Sequence, residues 1–452
     1  MKKIYFIGIG GIGMSGLAVI AKEKGYSVSG SDIAENYITE KLKKEGIKIF
    51  LKHDPKNITK DIDLVVISSA IKDDNPELIK AWRYNIPVVK RAKFLSMLCE
   101  NSKTVAVAGT HGKTTTTGMI SSIFETKKEN YTAVIGGISK HIGSNVKFKS
   151  GEYFIIEADE SDGSFLYYSP LIAAVTNIDD DHLDFYKNIE NIKKTFVNFI
   201  NKIPFYGKAV LCGDDKNIKS VLNLITSPYY TYGFGDKNDW KIKNTENSSD
   251  GISYDVYYKE KKEDKIKLKV FGPHNALNSL AAYVTARYLG MEKKTILEGL
   301  YNFKGMKRRL DLISKVGEVC FYDDYAHHPT EIKTTLSSLK SFYPRNRIIA
   351  IFQPHRYTRT AFLYKEFSKS FDDASAVYLT DIYPAGEKPI KGVSSELIIN
   401  EINKREKKAF KFKSALDLAK SIKDKDIVIG VGAGDIYKIL NEIKFKYETI
   451  IK

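Results

Sequence analysis

Short apolar runs recur along the chain, each closing on glycine, an acid or a polar turn and most followed by a polar stretch of helical character. This alternation constrains the fold more than any other feature, because strands joined by helical crossovers lie parallel in one sheet with helices on its faces. The runs fall into three blocks. The first holds residues 3–10, 26–32, 63–70 and 87–90; the second 104–110, 131–137, 153–159, 171–177 and 207–214; the third 318–324, 347–354, 375–382 and 426–432. Residues 228–271 differ, being rich in Asn, Lys, Asp and Tyr with alternating patches, which predicts antiparallel edge strands. A helix is expected over 273–290, with Pro273 at its start and Gly290 at its end.

With 452 residues the chain can build several domains, and 43% hydrophobic with 28% charged residues fits a globular protein and excludes long disorder. No apolar run approaches the ~18 residues of a membrane span, so no membrane partner is expected. The opening MKKIYFIGIGGIG is broken by glycines and reads as a strand and turn rather than a signal peptide. Cys99, Cys212 and Cys320 are scattered without a CxxC, which fits a cytoplasmic protein and offers neither a disulfide framework nor a cysteine zinc site. The net charge of +16 comes from lysines dispersed along the chain, which reads as solvated surface and not as a nucleic-acid interface. Arginine behaves differently. Six of the ten (Arg308, Arg309, Arg345, Arg347, Arg356 and Arg359) lie together, a concentration suited to bidentate recognition of carboxylates or phosphates.

The first block carries Gly8-Ile9-Gly10-Gly11-Ile12-Gly13, a GxGxxG directly after a strand, with Asp32 at the end of the next. Glycine lets a backbone approach a diphosphate, the following helix start favours the anion, and the acid can hold a ribose hydroxyl. A nicotinamide dinucleotide and a UDP-sugar both satisfy that chemistry.

The second block carries the sharpest signal, Gly109-Thr110-His111-Gly112-Lys113-Thr114-Thr115 between a strand and a helix. Such a loop cradles phosphates with backbone amides, its lysine reaches the β- and γ-phosphates, and the Thr114 hydroxyl can ligate Mg²⁺. Acid runs at 157–162 and 179–181 close adjacent strands, where carboxylates of a phosphate-loop sheet hold magnesium. Glu157 is the first candidate ligand, Glu160 the second, and His182 could complete a further metal position. His274, Asn275 and Asn278 open the helix at 273, where amides could read an adenine edge. Arg308 and Arg309 enter the third block as cations able to stabilise a transferring phosphoryl group. His327 and His328 end one strand of that block, and Arg356 and Arg359 follow the next, all on the carboxyl edge where ligands bind. The expected fold class is α/β in three domains: residues 1–100 Rossmann-like, 101–308 a P-loop ATPase-type parallel sheet with antiparallel edge strands, and 309–452 Rossmann-like again.

Taken together and in order, GIGGIGMSGLA, GTHGKTTT, EADESDGSF, NIDDDHLDFY, GPHNALNSLAA, GMKRRLD, DDYAHHPTE, QPHRYTRT and GVGAGD resemble the Mur ligases of peptidoglycan synthesis over essentially the whole chain. The resemblance implies three domains for UDP-sugar, ATP and amino acid respectively. It implies an ADP-forming amide-bond ligase that joins L-alanine to the lactyl carboxylate of UDP-N-acetylmuramate through an acyl phosphate. It implies ATP and Mg²⁺ as cofactors, with Lys113, Glu157, His182, Arg309 and His327 catalytic and Thr114, Glu157 and His182 at the metals. ATP would meet Gly109 to Thr115, His274, Asn275 and Arg308. The substrates would meet Gly8, Gly10, Gly11, Gly13, Met14, Asp32, Ser68, Ser69, His327, Arg356 and Arg359. Within the family the alternative is a recycling ligase that attaches a tripeptide to the same sugar nucleotide. Outside it, an NAD-dependent oxidoreductase would use the first loop but leave the phosphate loop and its acids unexplained, and a polynucleotide-stimulated ATPase would rest on net charge alone.

Overall fold

The computed structural model describes residues 1–248 and 250–451, with the side chains of residues 183 and 184 excepted. It contains three sheets, one for each block of the sequence. By density of contacts the chain divides into two compact units. One holds Met1–Lys243, Val256–Asp264 and Leu277–Leu300, and the other Asn244–Asp255, Lys265–Ala276 and Tyr301–Lys452.

The first sheet is made of β1 (Lys3–Ile7), β2 (Ser27–Ser31), β3 (Lys48–Phe50), β4 (Leu64–Ile67) and β5 (Val88–Lys90), all parallel in the order β3-β2-β1-β4-β5. The central strand β1 is buried from Ile4 to Ile7, which is why it reads as an unbroken apolar run. Helix Ile12–Glu23 follows β1 at once.

The second sheet contains β6 (Lys103–Ala108), β7 (Tyr131–Ser139), β8 (Ser144–Lys147), β9 (Tyr153–Glu157), β10 (Ile172–Val175), β11 (Lys208–Cys212), β12 (Tyr229–Gly233), β13 (Trp240–Ser248), β14 (Gly251–Tyr258) and β15 (Lys261–Leu268). Their order is β15-β14-β13-β12-β11-β10-β6-β9-β7-β8. The expectation of antiparallel strands over 228–271 needs correcting at its start, because β12 pairs parallel with both β11 and β13. Beyond that, β14 and β15 are sheet neighbours joined by two residues, too short a link for a parallel crossover. The opposite edge strand β8, antiparallel to β7, escapes a reading of the sequence because its four residues are all half-buried and polar-flanked.

Two contacts join helix Ile12–Glu23 to β8. Asn145 Nδ2 donates to Ile12 O at 3.3 Å, and a Cβ on Gly16 would fall 2.2 Å from Val146 Cγ2. Only the bare backbone of Gly16 lets the helix sit this close.

The third sheet runs β16-β17-β21-β18-β19-β20, from β16 (Asp311–Val316), β17 (Val319–Asp324), β18 (Ile348–Phe352), β19 (Ala376–Leu379), β20 (Ala409–Lys411) and β21 (Ile427–Val431). All pairs are parallel except the hairpin of β16 with β17. Strands β17, β18 and β21 are fully buried and feed apolar clusters on both faces, one around Ile332, Leu336, Phe367 and Ile398, the other around Leu418, Ile436 and Leu440. The hairpin strand β16 and the short β20 lie outside the expected runs.

Candidate active site

The phosphate loop leaves β6 at Ala108 and ends where helix Lys113–Lys127 begins. Gly109 (φ +128°) and Gly112 (φ +85°) occupy backbone space that other residues reach only with strain. A Cβ at Gly109 would also fall 2.2 Å from Thr176 Oγ1, and one at Gly112 2.6 Å from Asn278 Oδ1. The segment after β10 holds the loop from below. Asn177 Oδ1 accepts the His111 amide at 2.8 Å, Asn177 Nδ2 donates to His111 O at 2.9 Å, and the Asp179 amide donates to Thr110 Oγ1 at 2.8 Å. His111 Nε2 lies 3.1 Å from Asp179 Oδ2.

Lys113 folds over this loop. Its Nζ donates to Gly109 O at 2.6 Å and to Glu160 Oε1 at 2.9 Å. Burial pulls the ammonium pKa down, but the charges of Glu160, Asp159 and Glu157 outweigh it and hold the group above the usual lysine range. Asp159 is held low, Lys113 and the Ser161 amide overcoming the effect of its burial. Glu160, one of the two acids weighed as a metal ligand, is thus the ammonium's partner at the base of the pocket.

Glu157, at the end of β9, takes the other position. Its Oε1 accepts from Thr114 Oγ1 at 3.0 Å and its Oε2 from the Gly136 amide at 2.7 Å. A Cβ at Gly136 would fall 2.4 Å from Oε1, so glycine there is what admits the carboxylate. Thr115 sits in the same helical turn. His182 has positive φ (55°) and its ring faces Asp181, with Nε2 3.8 Å from Oδ2. The structure therefore joins Thr114 to Glu157 directly and sets His182 on a separate loop.

In the first sheet the glycine loop is braced by β2. The Gly8 and Ile9 amides both donate to Ser31 O, at 2.8 and 3.0 Å, and the Gly10 amide donates to Asp32 Oδ2 at 2.8 Å. The Gly11 amide reaches Gly8 O at 3.4 Å, so the amides that remain to face an anion are those of Ile12, Gly13 and Met14 in the first helical turn. Asp32 thus shapes the loop with one carboxylate oxygen, whatever its role toward a ribose. Ser68 packs under Gly8 and Ser69 is exposed. Arg91 was not singled out from the sequence, yet its guanidinium lies over Gly13, with Nη1 3.2 Å from where a Cβ would be.

The second unit gathers the remaining candidates. His274 is half-buried and bonds Ser338 Oγ through Nδ1 at 3.1 Å, and its loss of solvation pulls its pKa down to about 4. Asn275 Nδ2 donates to Phe271 O at 2.8 Å. Arg308 donates to Gly432 O at 2.6 Å, lies 3.3 Å from Asp323 Oδ2, and is sandwiched between the rings of Tyr325 and Tyr437. Arg309 sits over Tyr325 as well and 3.6 Å from Glu331 Oε1. His327 Nδ1 is 3.0 Å from Tyr325 O, and its ring centroid is 5.8 Å from that of His355. His355 stacks on Tyr383 and lies 3.5 Å from Arg359 Nη1. Burial, then the charges of His327, Arg359 and Arg356, pull the His355 pKa down to about 4. Arg356 has positive φ (72°) and an exposed side chain at the start of helix Tyr357–Ser368. His328 serves as the N-cap of helix Pro329–Phe342, closed into a capping box by Glu331.

Family models match in the order of the three sheets: the Mur ligase family catalytic domain over residues 3–103, the Mur ligase middle domain over 107–286, and the Mur ligase glutamate ligase domain over 308–434. The chain belongs to the Mur ligase family. Like other Mur ligases it is an ATP-dependent, ADP-forming ligase of peptidoglycan precursor synthesis. The UDP-N-acetylmuramate–L-alanine ligase of Geotalea daltonii is 46% identical over 441 residues, covering 96% of each chain, and that of Endomicrobium trichonymphae is 43% identical over 437 residues, covering 97% of each. Among solved structures, the UDP-N-acetylmuramate-alanine ligase of Thermotoga maritima superposes with a TM-score of 0.83 at 30% identity, covering the whole of both chains. A murein peptide ligase from Psychrobacter arcticus gives 0.71 at 25% identity, also over both whole chains. Among the described residues no helix of this Mur ligase is long and apolar enough to cross a membrane.

Proposed function

We propose that this Mur ligase joins L-alanine to the lactyl carboxylate of UDP-N-acetylmuramate in the cytoplasm, with ATP converted to ADP and phosphate. Full-length similarity at 43–46% to ligases named for that reaction favours L-alanine over a tripeptide as the second substrate. The observation that carries the chemistry is Lys113, folded over a glycine-framed phosphate loop and paired with buried Glu160. A carboxylate is a poor electrophile, so an oxygen of the lactyl carboxylate attacks the γ-phosphorus and ADP departs. The alanine nitrogen then attacks the acyl carbon, and phosphate leaves with the electron pair of the C–O bond. Lys113 and Arg309 neutralise negative charge in both steps.

Thr114 and Glu157 present adjacent hard oxygen donors beside the loop, a set that suits Mg²⁺. When bound there, the ion supplies neutralisation of phosphate charge. The amides of Ile12, Gly13 and Met14 take the diphosphate of the sugar nucleotide. Arg356 and Arg359 receive the alanine carboxylate. His327, whose Nδ1 lies 3.0 Å from the Tyr325 carbonyl and 3.5 Å from Glu331 Oε2, is the group assigned to take a proton from the alanine ammonium. On this reading residues 1–100 serve the sugar nucleotide, 101–308 ATP and 309–452 the amino acid.

Phosphate release from ATP, with UDP-N-acetylmuramate, L-alanine and tripeptide each supplied or omitted, tests the reading. Release that requires the sugar nucleotide and L-alanine together is the expected result. Release with tripeptide alone as acceptor reassigns the enzyme to recycling, and release independent of the sugar nucleotide overturns the proposal.

A further inference from the structure

Beneath the first sheet's carboxyl edge lies a polar cluster with no part in the chemistry above. Glu77, at the start of helix Pro76–Arg83, is fully buried beside an apolar cluster that includes Ile7, Leu78 and Ala81. Five donors converge on its carboxylate. Tyr5 Oη (2.8 Å), Asn57 Nδ2 (2.7 Å) and the Asp54 amide (3.3 Å) reach Oε1, while Ser31 Oγ and His53 Nδ1 (3.1 Å) reach Oε2. Burial and then the Glu77 charge push the Tyr5 phenol above its ordinary range, which keeps it a donor. An acceptor-only group satisfied at both oxygens fixes the positions of everything that points at it.

The donors come from separate segments. Tyr5 belongs to β1 and Ser31 ends β2, while His53, Asp54 and Asn57 form the loop after β3. Ser31 is the link that matters. Its hydroxyl goes to Glu77, its carbonyl takes the Gly8 and Ile9 amides, and the next residue, Asp32, takes the Gly10 amide. One buried carboxylate therefore sets both the glycine loop after β1 and the loop after β3, on the edge of the sheet where ligands bind.

We propose that Glu77 is a positioning residue for the sugar nucleotide, acting through Ser31 on the glycine loop and through His53 and Asn57 on the loop beside it. The proposal rests on the reading that the Gly8–Gly13 loop takes the UDP-sugar. It touches neither the phosphate loop nor the alanine residues, so its effect is confined to one substrate.

Binding of UDP-N-acetylmuramate measured by calorimetry, together with kcat and all three KM values, tests it in wild type, Ser31→Ala, Glu77→Ala and Glu77→Gln. Ser31→Ala and Glu77→Ala should weaken sugar-nucleotide binding and raise its KM about tenfold or more, the scale of a hydrogen bond to a charged group. The KM values for ATP and L-alanine, and kcat, should stay within about twofold. Glu77→Gln can keep an oxygen toward Ser31 and His53, the link on which the proposal rests, and should recover part of the loss. If Glu77→Ala does not fold, Ser31→Ala decides the question alone. A fall in kcat with every KM unchanged would mark a purely structural role and overturn the proposal. Failure of the wild type itself to bind UDP-N-acetylmuramate would overturn the underlying reading of the loop.

Discussion

The Asp324 carboxylate accepts the Leu310 amide at 2.6 Å, which fastens the segment carrying Arg308 and Arg309 to the end of β17. The same carboxylate takes the Ala326 amide at 2.7 Å. Burial pushes its pKa up to about 6 against the pull of Arg309. An acid raised on folding contributes most favourably below its unfolded value of 3.8 and loses that contribution as pH rises through about 6. Wild type should therefore lose stability over that window, by something of the order of 3 kcal/mol from this group. Asp324→Asn should flatten the decline. Denaturant midpoints taken at intervals from pH 4 to pH 7 give the slope, which a constant cost from one orphaned amide cannot imitate.

Lys113 and Glu160 can be separated by their failures. Lys113→Met should lower phosphate release about 10³-fold. It should also lower Tm, because Glu160 is left buried without its cation. Adding Glu160→Gln should restore Tm and leave turnover lost. Recovery of turnover in the double variant would mean that Lys113 serves the fold alone.

Glu157 and Glu160 make different predictions for magnesium. Glu157→Ala should shift the Mg²⁺ concentration for half-maximal rate upward by about 10-fold or more. Glu160→Ala should act instead on Tm and on ATP binding through Lys113. A Mg²⁺ titration of both variants separates them, and an unchanged curve for Glu157→Ala removes it from the metal.

The adjacent arginines differ in their surroundings. Arg308 is tied to Gly432 O, Asp323 and two tyrosine rings, whereas Arg309 sits over Tyr325, lies 3.6 Å from Glu331 and acts through its charge on buried Asp324. Arg308→Ala should destabilise the protein by about 3 kcal/mol by stranding buried Asp323. Arg309→Ala should cost about 10²-fold in kcat, beyond any loss of stability. Thermal melts and steady-state rates on both variants are sufficient, and a reversed pattern would exchange the roles.

What the sequence disclosed was whatever is local. The glycine loops, the lysine and threonine of the phosphate loop and the acid at the end of β9 sit where short motifs put them, since a strand, a turn and a helix start are set by neighbours in the chain. The central strands were legible because burial on both faces makes them apolar throughout, as in β1 and β21. Partners brought together by topology were not. Glu160 meets Lys113 across 47 positions and Ser31 meets Glu77 across 46, and no spacing rule announces either pair. The strands β8, β16 and β20 are short or half-exposed and carry no apolar signature. Arg91, a lone arginine in an ordinary helix start, gave no signal until the fold laid it across Gly13.

Gly16 has a consequence for how such an enzyme can vary. Where its helix meets Val146, the separation between the glycine loop and the strands of the second sheet is set by main chain against side chain, with no side chain of its own in between. Reach is thus calibrated apart from recognition. Residues around either loop can drift to suit another ligand, whereas a side chain at this one position must displace either the helix or Val146.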